Sequence, residues 1–178
     1  MKLNEFILRS NDNYEYLKKY AKRNTTLCGI TLTDLTHLRY ITLKRVVPQL
    51  FNEDKYNEAL YEILKDTQKN VTFTKVKRAD NFKKYAFLLF VQDQYEAIKN
   101  MELNYLSTPP DIKLINAGIK DLDVLDDKPM IRSLAMNDMS KEDYILNQPY
   151  YRIFDYNYED TIRYRVSKKI NENNKLKQ

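Results

Sequence analysis

Glycine is the residue whose scarcity most constrains this chain, because its 178 residues include only Gly29 and Gly118. Glycine adopts positive φ angles at least cost, and tight hairpins and phosphate-binding loops depend on such angles. A turn-rich β-sandwich or β-barrel is therefore disfavoured, and neither GxGxxG nor GxxxxGK[ST] occurs. The sequence predicts a mainly α-helical fold of about five to seven helices, with a possible minor β-hairpin and extended terminal arms.

The predicted domain organisation is an N-terminal arm over 1–10, a helical domain over 11–162 and a basic C-terminal arm over 163–178. Apolar residues make up 43% of the chain and charged residues 31%, a balance typical of a chain that buries a core. No apolar run of 18 residues occurs, so no transmembrane helix and no membrane partner are expected.

Capping residues and apolar spacing predict the individual elements. Thr33 and Ser140 are the predicted N-caps of two helices, and Pro48 is expected to kink or end the first of them. A weak strand is predicted over 71–76, where apolar and polar residues alternate. The predicted helices cover 13–23, 34–47, 54–67, about 25 residues from Asp80, 111–117, 129–135, a short stretch from Ser140, and 158–171. Residues 27–33 are predicted as a short strand or a turn, and residues 171–178 are expected to fray.

The net charge of +5 comes from the C-terminal end of the chain. Residues 163–178 contain six basic residues and one acidic residue, Glu172, so residues 1–162 are balanced. This pattern leaves three alternatives open: a solvated helix face, an arm that docks on an acidic protein surface, or a nucleic-acid contact.

The sequence offers few residues for catalysis or metal binding. A single cysteine, Cys28, excludes an intramolecular disulfide framework, and we interpret it as a small buried apolar side chain. A single histidine, His37, excludes a His-rich metal site, and a catalytic pairing with Cys28 is disfavoured. The acidic cluster 121–127 lacks the glycine and the terminal glutamate of an EF-hand loop. The sequence therefore predicts no enzymatic activity, no metal site and no cofactor.

Aromatic residues are concentrated just before the basic segment, where five of them fall within nine residues. So many rings are difficult to bury from one short segment, and tyrosine is favoured at protein interfaces. An alternative origin is the codon bias of an A/T-rich genome, which also favours lysine and asparagine. The predicted interface residues are Tyr150, Tyr151, Phe154, Tyr156, Tyr158, Arg163, Arg165, Lys168 and Lys169.

Two stretches together resemble small structural proteins of tailed bacteriophages, and the A/T-rich composition resembles that of crAss-like phages. The first runs from Gly29 as GITLTDLTHL. The second spans 115–154 and contains A-G-x-x-D-L, L-A-x-x-D, S-K-x-D and L-x-x-P-Y, followed by Phe154. The resemblance implies a virion protein that forms a homo-oligomeric ring or connector at the head–tail junction, in the neck or tail.

From the resemblance and the residues together, we expect a structural protein located in the virion and assembled in the host cytoplasm. Its expected partners are copies of itself and other virion proteins such as portal or tail components, with possible contact to packaged DNA. The alternative hypothesis is a small nucleic-acid-binding or regulatory protein that acts through its basic C-terminal tail.

Overall fold

The computed structural model describes residues 22–51, 55–107 and 124–175. The chain divides into two compact units, one of described residues up to Ile98 and one of described residues from Lys99 onward. The predictions for 1–10 and 111–117 lie outside the described residues, as does most of the helix predicted over 13–23.

The structure is mainly helical with one small hairpin, which confirms the predicted fold class. The elements are strands β1 (Thr26–Leu27) and β2 (Ile30–Thr31); a 3-10 turn (Leu35–His37), a π turn (Thr42–Val46) and a second 3-10 turn (Val47–Phe51); and helices α1 (Tyr56–Thr67), α2 (Phe73–Lys77), α3 (Asn81–Tyr105), α4 (Lys128–Leu134), α5 (Met139–Leu146) and α6 (Tyr150–Lys175).

The hairpin explains one of the two glycines. Strands β1 and β2 pair antiparallel through a two-residue turn, in which Cys28 and Gly29 have φ angles of 57° and 79°. Two consecutive positive φ angles match the twist of a tight hairpin. Cys28 is half-buried and its thiol donates to the carbonyl of Lys75, so the interpretation of Cys28 as a buried core residue is wrong.

The predicted helix over 34–47 is replaced by shorter turns. Asp34, not Thr33, is the N-cap, because its carboxylate accepts the N–H of Thr36 and the 3-10 turn then ends at Leu38. Further along the chain, the backbone forms the π turn, in which Val47 donates its N–H to the carbonyl of Thr42, five residues earlier. Pro48 does not end the helical stretch but lies inside the second 3-10 turn, since a proline is tolerated early in a new turn.

The first unit is held together by α1. This helix packs against the π turn, the second 3-10 turn and α2. Its inner side chains are fully buried, together with apolar side chains from the neighbouring elements: Leu43, Val47, Leu50, Leu60, Ile63, Leu64, Val76, Phe87 and Val91. Near the end of α1, the carboxylate of Asp66 accepts both the backbone N–H and the Nε–H of Arg39.

The strand predicted over 71–76 is wrong, because most of this segment forms α2. Thr72 caps the helix by accepting the N–H of Lys75. Val71 and Val76 are both buried, whereas the Phe73 side chain is 39% exposed. A strand would place Val71 and Phe73 on the same face, so tertiary burial selects the helix over the short alternation.

The long helix predicted from Asp80 is confirmed as α3, which has the expected 25 residues. The Asp80 carboxylate accepts the N–H of Lys83 and so satisfies one of the open donors of the first turn. The helix predicted over 129–135 is also found, as α4, with Pro129 in its first turn.

Two helix starts in the second unit differ from the predictions. Asp138, not Ser140, is the N-cap of α5, because its carboxylate accepts the N–H of Ser140. The last helix begins at Tyr150, directly after Pro149, rather than near residue 158. It continues through 171–175, where fraying was predicted, so the basic segment is helical as far as Lys175 and is not an extended arm.

Candidate docking surface on the last helix

The first part of α6 is anchored within the second unit by aromatic side chains. Tyr150 is 1% exposed, and its hydroxyl donates to the Glu102 carboxylate at 2.7 Å. Phe154 and Tyr158 follow at intervals of one helical turn, with ring centroids 6.1 Å apart along the row. The last ring meets Tyr105 edge-on at 5.5 Å. Two of the five aromatic residues of the run, Tyr150 and Tyr158, therefore contact the end of α3.

Arg165 continues the same side of α6. Its Nη2 donates to the carbonyl of Tyr105 at 3.1 Å and to the carbonyl of Ser107 at 2.9 Å. Tyr105 is the last residue of α3. The final carbonyls of a helix receive no hydrogen bond from an N–H group of the same helix, and they carry a partial negative charge. This arginine therefore acts as a cap for α3.

Beyond Tyr158, the same row of four-residue spacing continues as apolar residues that the structure leaves uncovered. Ile162, Val166 and Ile170 are 42%, 52% and 54% exposed, and we call these three residues the outer stripe. Their spacing of four residues places them along one side of the helix. At about 100° per residue, Ile162 lies only about 40° around the helix axis from Tyr158, and this angle grows to about 120° at Ile170.

Basic side chains border the outer stripe. Lys169 is exposed and lies three residues from Val166, whereas Lys168 is half-buried and lies on the other side of the helix, about 200° around the axis from Val166. Neither lysine forms an ion pair among the described residues. Arg163 is exposed and pairs with Glu159 one turn earlier in α6. An exposed ion pair of this kind contributes about 0.3–0.5 kcal/mol, so its charges stay accessible.

The structure separates the nine predicted interface residues into two groups. The inward group, which makes the intramolecular contacts described above, consists of Tyr150, Phe154, Tyr158 and Arg165. The outward group consists of Tyr151, Tyr156, Arg163, Lys168 and Lys169, and its role at an interface stays a prediction. Sequence reasoning missed the outer stripe as a surface feature, although its four-residue spacing is visible in the sequence.

Lys84 is a second feature that sequence reasoning missed. Its side chain is 3% exposed, and its amine donates to Asn57 Oδ1 at 3.0 Å and to the Lys77 carbonyl at 2.9 Å. Burial lowers the pKa of this amine, while the charges of Cys28 and Asp80 act in the opposite direction. The sequence did contain a signal for the burial of Lys84. Leu88 and Val91 follow it at four and seven residues, so Lys84 shares the buried side of α3 with them.

The other candidate groups have ordinary surroundings. His37 is largely exposed and lies 3.6 Å from the Asp34 carboxylate in the same turn. Burial raises the pKa of Tyr56, whose ring lies 5.7 Å from the Lys84 amine. Within 22–51, 55–107 and 124–175, no group of three or more His, Cys, Asp or Glu side chains is arranged to hold a metal ion.

None of the helices in the described ranges has the length and apolar character needed to span a membrane. Comparisons with protein-family models, curated proteins and solved structures found no match to this chain.

Proposed function

We propose that this chain is a non-enzymatic assembly protein that docks through the outer stripe of its last helix. The observation that carries the proposal is the uncovered row of Ile162, Val166 and Ile170. Burying apolar surface contributes about 25 cal/mol of favourable free energy per Å². Because the three side chains lie along a regular helix, a partner can bury them with little loss of conformational entropy.

The aromatic and Arg165 contacts support the same function. They fix the first part of α6 on the end of α3, so the outer stripe is presented on a preformed helix. A partner that binds it does not have to order the helix first, which preserves more of the contact energy as affinity.

The proposal extends, on the basis of the sequence resemblance, to a structural virion protein. In that role the chain forms a homo-oligomeric ring or connector at the head–tail junction of a tailed phage. Portal or tail proteins are the neighbouring partners, and the chain is located in the virion. The genes beside its own provide a direct test, because portal, capsid and tail genes are expected there.

Protein docking accounts for the basic end of the chain better than nucleic-acid binding does. Arg165 is engaged by the carbonyls of Tyr105 and Ser107. Phosphate contacts require accessible cations, and each one adds to the salt dependence of binding. A face with three exposed apolar residues and charged residues at its edge fits a protein interface, which has an apolar core and a polar rim. A DNA titration at two salt concentrations tests this choice, and strong salt-dependent binding would contradict it.

The experiment for docking compares Val166→Asp with Tyr164→Asp. Both positions are about half exposed, and residues two apart lie about 200° apart around a helix. Covering the exposed half of Val166 contributes about 1 kcal/mol, and burying a carboxylate there adds a larger penalty. We expect Val166→Asp to weaken self-association at least tenfold, about 1.4 kcal/mol, and Tyr164→Asp to have little effect.

Size-exclusion chromatography with light scattering, run over a range of concentrations, measures the association. Circular dichroism on the same samples shows that both variants remain folded. Equal effects of the two variants would refute a role for the outer stripe. A wild-type chain that stays monomeric up to about 1 mM would refute self-assembly, since a complex of about −4 kcal/mol is half-formed there.

A further inference from the structure

The turn between α4 and α5 presents a second uncovered apolar surface in the same unit. Met136 is 83% exposed, Met139 is 79% exposed and Tyr144 is 64% exposed. Exposed methionines adapt their shape to a partner, because the thioether side chain is flexible and polarisable. We call the residues Met136, Asp138, Met139 and Asp143 at this turn the acidic corner.

The backbone holds the acidic corner in an unusual conformation. Met136 and Asn137 have φ angles of 55° and 60°, and neither is a glycine. Hydrogen bonds keep the turn closed: the N–H of Met136 donates to the Ser133 carbonyl at 2.9 Å, and the N–H of Asn137 donates to the Arg132 carbonyl at 2.8 Å. The hydrogen-bonded turn between the two helices therefore fixes the backbone position of the exposed Met136.

The charge of the acidic corner is opposite to that of the basic residues that border the outer stripe. Residues 124–147 contain five acidic and three basic side chains. Asp138 pairs with Lys141 and Glu142 with Arg132, whereas Asp143 forms no ion pair among the described residues. Met139 and Asp143 are four residues apart on α5, so an apolar and an acidic group share one side of it.

We propose that the outer stripe of one copy docks on the acidic corner of a second copy. This inference rests on the proposed self-assembly and names the two surfaces that form its interface. Ile162, Val166 and Ile170 supply the apolar side, and Met136 and Met139 receive them. Lys169 then lies against Asp143, where opposite charges steer the encounter and fix its register.

Pairing of the outer stripe with itself is disfavoured. In a symmetric antiparallel contact centred on Val166, Lys169 of one copy would face Arg163 of the other, since both lie three residues from Val166. Opposed like charges weaken an interface and favour a different partner. Because the stripe and the corner are different surfaces of one chain, the contact is head-to-tail, which produces a ring where the rotation closes and a filament where it does not.

The decisive experiment mixes two variants, each with one surface blocked. Val166→Asp removes the outer stripe and keeps the acidic corner, whereas Met139→Asp removes the corner and keeps the stripe. We expect each variant alone to be monomeric at concentrations where the wild type assembles. Their mixture is expected to form a dimer and nothing larger, because only one pair of intact surfaces remains. The dimer mass from light scattering checks this, with Tyr164→Asp as a control that assembles like the wild type.

A charge exchange provides an independent readout. Lys169→Glu and Asp143→Lys are each expected to weaken assembly by about threefold to tenfold, and the chain that carries both is expected to recover most of the loss. Failure to recover would overturn the assigned pairing of charges.

The outcomes distinguish this inference from the function on which it rests. If the wild type assembles and the mixture of blocked variants stays monomeric, the head-to-tail pairing is refuted while self-assembly stands. If the wild type does not assemble, both fail. Circular dichroism of each variant shows that a missing dimer reflects a lost contact and not a lost fold.

Discussion

The contact between Asp66 and Arg39 provides the sharpest test of how the first unit is held together. The Asp66 carboxylate is 7% exposed and accepts two hydrogen bonds from Arg39, one from the backbone and one from the guanidinium. Asp66→Ala removes both and leaves a backbone N–H without its acceptor. We expect the free energy of unfolding to fall substantially.

The magnitude follows from the two hydrogen bonds. A hydrogen bond to a charged group contributes about 1.5–3 kcal/mol when its partner is buried. The guanidinium of Arg39 is 39% exposed and regains water, so its share is at the low end. We therefore expect a loss of about 2–4 kcal/mol, which corresponds to a fall in Tm of about 4–16 °C for a chain of this size. Asp66→Asn keeps one acceptor oxygen and is expected to cost about half as much.

Glu62→Ala is the matched control, because Glu62 lies one turn earlier on the same helix and is also paired. Its contact with Lys65 is 3.7 Å long and exposed, and such a pair contributes about 0–0.5 kcal/mol. Urea unfolding followed by circular dichroism gives the free energies for both variants. Equal losses for Asp66→Ala and Glu62→Ala, or a loss below about 0.5 kcal/mol for both, would refute the argument that burial decides the strength of the contact.

Two further predictions concern Arg165 and Lys84. Arg165→Ala removes the donor to the last carbonyls of α3. We expect it to lower the free energy of unfolding by about 1–2 kcal/mol and to speed amide hydrogen exchange near residue 105. The control Lys168→Ala is expected to change both quantities little. Burial lowers the pKa of Lys84 in the folded chain. Between that lowered pKa and 10.5, the unfolded chain therefore binds more protons than the folded chain. In this pH window Lys84 makes the free energy of unfolding rise with pH. Lys84→Met is expected to remove this rise, which urea unfolding at several alkaline pH values measures; an unchanged pH profile would contradict the assignment.

The local elements with strong end signals were predictable from the sequence. Asp80 and the 25-residue apolar repeat that follows it identified α3, because a side-chain cap and a helical period are properties of neighbouring residues. Pro129 identified the start of α4 for the same reason. The short segment over 71–76 was not predictable, because six residues fit a strand and a helix equally well and burial of Val76 decided between them.

The low glycine content correctly predicted a mainly helical fold. It did not predict where left-handed turns occur. Left-handed φ angles occur at Gly29 and also at Cys28, Asp126, Met136 and Asn137. A non-glycine residue bears a cost of about 1–2 kcal/mol in this conformation, which hydrogen bonds and packing around the turn can offset. The acidic corner depends on such a turn, and no sequence rule for glycine would have found it.

The candidate site shows the same division. The sequence by itself determined a helical chain whose aromatic residues precede a basic end, because composition, caps and periodicity act over a few residues. Only the tertiary structure decided which part of α6 is covered: Tyr150 and Arg165 reach the end of α3, while Val166 remains in solvent. Coverage depends on residues about 50–60 positions apart, as in the contacts of Tyr150 with Glu102 and of Arg165 with Tyr105. Local patterns carry no information at that range, because a hydrophobic period shows that a side is apolar but not what lies against it.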